Sequence, residues 1–89
     1  MAVYAVCYDL RKSGQDYSGL YEAIKGYGNW MHYLDSTWFI KTNQTPQQIF
    51  DTLKPHIDDN DYLLIIEVKN NKQGWLPEEA WEWFRQAFQ

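Results

Sequence analysis

Hydrophobic and polar positions follow two different periods along these 89 residues. Val3-Tyr4-Ala5-Val6-Cys7-Tyr8-Asp9-Leu10 is almost continuously apolar, which predicts a strand buried on both faces in the middle of a sheet. Its pleat sets Val3, Ala5, Cys7 and Asp9 on one face and Tyr4, Val6, Tyr8 and Leu10 on the other. The turn-forming run Arg11-Lys12-Ser13-Gly14-Gln15 closes it. Leu20, Ile24 and Tyr27 then recur at helical spacing, so a helix is expected over 16–27, with Asp16 as N-cap and Gly26 and Gly28 at its end. Gly19 inside it is expected to permit close packing on the sheet.

Two β-prone runs, 29–34 and 37–42, flank Asp35-Ser36 and predict an antiparallel hairpin. Thr45-Pro46-Gln47-Gln48 carries three helix-start signals: a threonine N-cap, proline at the first helical position, and glutamine completing a capping box. Ile49, Phe50 and Leu53 supply that helix with a buried face, and Pro55 ends it. The acidic run Asp58-Asp59-Asn60-Asp61 lacks the glycine and distal glutamate of a calcium loop and reads as a solvated turn. Residues 62–68 form a fourth apolar strand. Pro77 opens a last helix, 77–88, with Glu78 and Glu79 favourably placed in its first turn and Ala80, Trp81, Phe84 and Phe88 on one stripe.

The expected order is strand, helix, strand, strand, helix, strand, then a terminal helix. It implies a single α+β domain over 1–89: a ferredoxin-like βαββαβ core, 1–69, with an additional C-terminal helix. Right-handed crossovers put both internal helices on one face of the sheet. The first and fourth strands nevertheless look apolar on both sides. A second copy or the aromatic terminal helix is expected to cover the open face, and a homodimer is favoured.

Composition sharpens this picture in three ways. Aromatic residues make up 18% of the chain, including five tryptophans, more than one small core needs, so some rings are expected on a partner surface. Cys7 is the single cysteine, which excludes a disulfide framework and fits a reducing cytoplasm; as a site residue it lacks a basic neighbour and reads as core. No amino-terminal signal pattern or membrane-length apolar run is present, so no membrane partner is expected. Net charge is -4, with eight acids against four bases in residues 46–89. Avid duplex DNA binding draws on a basic patch, and this balance argues against it.

Asp9 is the one charge in the first strand, at its carboxyl end. An acid there can hold a metal or activate water, or it can cap the following loop through backbone N–H groups. His32 and His56 lack ligand spacing, which argues against zinc, and His32 reads as a strand-edge or interface residue. Glu67 is a second candidate acid or the point where the fourth strand meets solvent. No glycine-rich phosphate loop, nucleophile elbow or Cys-His pair is present.

The motifs Tyr8-Asp9-Leu10, Gly14-Gln15-Asp16-Tyr17 and Leu34-Asp35-Ser36-Thr37-Trp38-Phe39 resemble the CRISPR-associated protein 2 superfamily of small ferredoxin-like dimers, and within it a SinR-like branch of short bacterial proteins. The resemblance covers residues 1 to about 69. It implies Asp9 as the catalytic and metal-binding acid, with magnesium as cofactor, and Ser36 with Trp38 or Phe39 as its neighbours. Tyr8, Arg11, Lys12, Ser36 and Trp38 are then the nucleic-acid-binding set. The chain departs from the adaptor members in lacking their arginine-rich first helix, having only Lys25 there.

Two functions follow as expectations. One is a metal-dependent, nuclease-like homodimer in which two copies of Asp9 supply the carboxylate pair and Arg11 and Lys12 meet phosphate. The other is a catalytically inactive dimeric binding or scaffold module for a nucleotide, single-stranded nucleic acid or protein, its aromatics (Trp30, Tyr33, Trp38, Phe39, Trp75, Trp81, Trp83) stacking bases.

Overall fold

The structure, a computed structural model, describes residues 1–12 and 14–89; Ser13, in the loop expected after the first strand, lies outside the described residues. In chain order the elements are β1 (Ala2–Asp9), α1 (Ser18–Lys25), β2 (Trp30–Leu34), β3 (Thr37–Thr42), α2 (Pro46–Leu53), β4 (Tyr62–Val68) and α3 (Glu78–Ala87). A single 3-10 turn, Lys54–His56, follows α2, because Pro55 removes the next amide donor. The architecture is α+β: four antiparallel strands in the order β2-β3-β1-β4, with three helices. Among the described residues no helix is long and apolar enough to cross a membrane.

β1 pairs with β3 on one side and β4 on the other, so Ala5 faces Phe39 and Ile66 across the two ladders. Val3 to Val6 are all buried, as a central strand requires. Beneath the sheet, Tyr4, Val6, Trp38 and Ile40 pack against Leu20 and Ile24 of α1 and Ile49 and Leu53 of α2. Both internal helices therefore cover the same face.

The second face is divided. Over β2 and β3, α3 lays Ala80 and Phe84 on Met31 and Phe39, with Trp81, Trp83 and Phe88 around them. Phe84 sits edge-on to Phe39 at 5.0 Å and to Trp83 at 5.6 Å, a geometry that suits the ring quadrupoles. The terminal helix thus packs in cis. Over β4 nothing is packed among the described residues: Tyr62, Leu64 and Ile66 are 65%, 56% and 50% exposed. The two-sided apolar pattern of β4 consequently has an inner side, Leu63 and Ile65, and an open outer row.

Local signals explain the helix ends. The Thr45 hydroxyl accepts from the Gln48 N–H at 3.1 Å while the Gln48 side chain accepts from the Thr45 N–H at 2.9 Å, closing the capping box. At α1 the N-cap position falls on Tyr17, one residue later than expected, and Asp16 still takes an orphan donor, the Ser18 N–H at 2.9 Å. Gly28 ends that segment with φ +83°, a conformation open to glycine. Gly19 packs close to the ring of His56 after α2 rather than to the sheet.

The acidic turn before β4 differs from its solvated reading. Asp61 is 8% exposed, and its carboxylate accepts from the Arg11 N–H (2.8 Å), the Asp58 N–H (2.9 Å) and the Tyr17 hydroxyl (2.9 Å). Burial alone would raise this carboxyl, but the three donors outweigh it and hold it below the ordinary carboxylate range. Asp61 thereby ties the loop after β1 and the start of α1 to β4.

Candidate functional site

The site forms where the ends of β1, β2 and β3 meet α1. Tyr8 and Asp9 are consecutive on β1 and so point to opposite faces of the sheet. The Tyr8 N–H donates to the Ser36 carbonyl at 3.1 Å, which draws the Asp35-Ser36 turn against the end of β1. On β3, Trp38 lies opposite Val6 in register and is 3% exposed. Its indole N–H donates to the Tyr8 hydroxyl at 2.9 Å. A buried indole needs such a partner.

Aromatic rings gather around Trp38. His32 stacks on it at 3.9 Å and 9°, Tyr21 lies nearly parallel at 6.0 Å, and Trp30 is tilted at 5.3 Å. Tyr21 also meets Tyr8 at 6.1 Å. The His32 Nε2–H donates to the Asp35 carbonyl at 3.1 Å, which fixes the ring on the indole. Lys25, one helical turn after Tyr21, places its ammonium 5.7 Å from the centre of the Trp30 ring. These side chains wall a cleft of about 510 Å³. A second cavity of about 470 Å³, lined by Tyr8, Asp9, Leu10, Tyr21, Asp35 and Ser36, adjoins it. Tyr8, Tyr21 and Asp35 line both, so the two form one groove.

Burial pushes the Tyr8 phenol up; the Trp38 N–H opposes this, while Tyr21 and Asp35 nearby reinforce it. Tyr8 thus stays protonated at neutral pH and presents a donor to the groove wall, with the Asp35 carbonyl 3.4 Å away.

Of the residues singled out from sequence, Tyr8, Asp9 and Ser36 share one cavity, and Trp38 joins them through Tyr8. Arg11 and Lys12 line neither part of the groove. Arg11 pairs with Asp9 at 3.1 Å and lies 5.3 Å from the Tyr62 ring centre, while Lys12 pairs with Asp58 at 3.7 Å. The Asp9 side chain is 63% exposed, so its ion pair is worth about 0–1 kcal/mol and leaves the carboxylate open to another partner. Asp9 offers one hard oxygen group per chain, beside a competing guanidinium, which alone falls short of a magnesium donor set. Among the described residues no group of three or more His, Cys, Asp or Glu is placed to hold a metal ion. Glu67 lies far along β4, at the opposite end of the β1 ladder, opposite Tyr4. Phe39, the alternative neighbour of Asp9, is on the same face of the sheet but lies opposite Ala5, four residues back along β1, where it packs against α3.

Tyr21, Asp35 and the stacking role of His32 were absent from the sequence-derived site. The spacing of Tyr17, Tyr21 and Lys25 was the available signal, since four-residue steps put them on one face of α1. Compared with protein-family models, curated proteins and solved structures, the chain finds no match.

Proposed function

We propose that this chain is a ferredoxin-like domain of the CRISPR-associated protein 2 superfamily, acting as a homodimer that binds single-stranded nucleic acid in the Trp38 groove. The strand order β2-β3-β1-β4, with α1 and α2 on one face, supports the fold assignment. The open row Tyr62, Leu64 and Ile66 supports the dimer, because an exposed apolar edge strand is a pairing surface.

One observation carries the binding reading: four aromatic rings surround Trp38 in an open groove of nucleotide size. Bases stack on such rings without sequence preference, and each stacked base contributes about 1–3 kcal/mol. The net charge of -4 makes stacking rather than phosphate neutralisation the source of affinity. Titration of short unstructured oligonucleotides should therefore quench tryptophan fluorescence with a shallow salt dependence. Trp30→Ala should weaken binding, whereas loss of signal with no effect on affinity would remove the groove from the account.

A second reading, phosphodiester cleavage, is favoured by Asp9 and Ser36 lining the same cavity next to the proposed strand path. Asp9 stands opposite Tyr62, at the end of the exposed row, so an interface through that row carries Asp9 at its rim. Asp9 of each copy would then share a magnesium ion, which supplies Lewis acidity and an activated water. Chelator-sensitive cleavage lost in Asp9→Asn supports this reading; binding without cleavage under any metal leaves the module non-catalytic.

A further inference from the structure

We infer that the groove selects guanine among the bases, with the Asp35 carboxylate as the discriminating acceptor. This rests on the reading of the groove as a base-stacking site. Asp35 is exposed at the hairpin turn and lines both parts of the groove. Its backbone carbonyl is engaged by His32 and Tyr8, and among the described residues nothing donates to its carboxylate. Its carboxylate, on a residue that lines both cavities, is thus an acceptor group without a donor among the described residues.

Base chemistry decides what such a group accepts. Guanine presents two adjacent donors on one edge, N1–H and the 2-amino group, which match the two oxygens of a carboxylate. Adenine and cytosine each place an acceptor nitrogen beside their amino group. Uracil flanks its N3–H with two carbonyl oxygens. Each of these three sets at least one lone pair against the carboxylate. A bidentate pair discriminates by about 10- to 100-fold. Lys25, with its ammonium 5.7 Å from the Trp30 ring centre and 3.7 Å from Glu22, is the one lysine or arginine lining the cleft among the described residues and would meet the nucleotide's phosphate.

The test is tryptophan quenching by the four nucleoside monophosphates, with inosine monophosphate as a fifth ligand that keeps N1–H and lacks the 2-amino group. Guanosine monophosphate should bind about 10-fold or more tightly than the adenine, cytosine and uracil nucleotides, with inosine between. Asp35→Asn exchanges one acceptor for a donor at an exposed turn and should erase the preference while short oligonucleotides still bind. Equal binding of all nucleotides, or a guanine preference unchanged in Asp35→Asn, overturns the inference and leaves base stacking intact. Absence of both nucleotide and oligonucleotide binding overturns the inference together with the binding reading.

Discussion

The indole of Trp38 donates to the hydroxyl of Tyr8 at 2.9 Å, joining the start of β3 to the end of β1 across the groove floor. Trp38 is the platform for His32 and Tyr21, and Tyr8 lines both the aromatic half of the groove and the Asp9 half. Trp38→Phe removes this hydrogen bond and opens a void beneath His32. The expected cost is about 1–3 kcal/mol in urea unfolding. Oligonucleotide affinity should fall as well, because the wall loses its backing; unchanged values of both would contradict the platform role.

Asp61 and Tyr17 predict the pH profile. The Asp61 carboxyl sits below its ordinary range, so its contribution is complete above that range and is lost as pH falls through the lowered value. The Tyr17 phenol is raised by its burial and by its bond to Asp61, so its contribution is complete below the usual tyrosine value near 10 and is lost as pH rises through the raised value. Asp61→Asn turns one acceptor oxygen into a donor among three donors. Its melting temperature should lie about 5 °C or more below the parent at pH 7, and the gap should narrow in acid. A gap independent of pH would contradict the clamp.

Phe84 anchors α3. It is 4% exposed and meets Phe39, Trp81, Trp83 and Phe88. Phe84→Ala should cost about 3–5 kcal/mol, and protease digestion should then release the terminal helix first. Loss of stability without preferential release would mean that the helix and sheet unfold as one unit.

The outer row of β4 tests assembly. Leu64→Asp places a charge at a position already 56% exposed, so a monomer should tolerate it with little change in melting temperature. A dimer through this row should dissociate, read by sedimentation velocity at tens of micromolar. Equal sedimentation of parent and variant would place the interface elsewhere.

Much of the fold was legible because it is written locally. Thr45, Pro46 and Gln48 specify the start of α2 within four residues, and β3 and β4 fall where their apolar runs predict. The covered half of the outer sheet face was legible only as a need: the stripe of α3 identified a candidate cover, and the row over β4 remained without one. Asp61 was illegible because its partners Arg11 and Tyr17 are 50 and 44 residues away, so an acidic run looked like any solvated turn. The groove was half legible. Tyr8, Asp9, Ser36 and Trp38 stood out in the motifs, whereas Tyr21 and Asp35 acquire meaning only when α1 and the hairpin turn close on the same end of β1.

Nucleic acid is proposed to meet the Trp38 side of the molecule and not α3 or the β4 row. The five tryptophans divide cleanly by position: Trp30 and Trp38 in the groove, Trp75, Trp81 and Trp83 on the opposite face or its flanking loop. Their indole N–H resonances in an isotope-labelled sample therefore report which face is touched. Addition of a short single-stranded oligonucleotide should move the Trp30 and Trp38 signals and leave Trp81 and Trp83 in place. Shifts confined to Trp75, Trp81 and Trp83, or none at all at saturating oligonucleotide, would contradict the account.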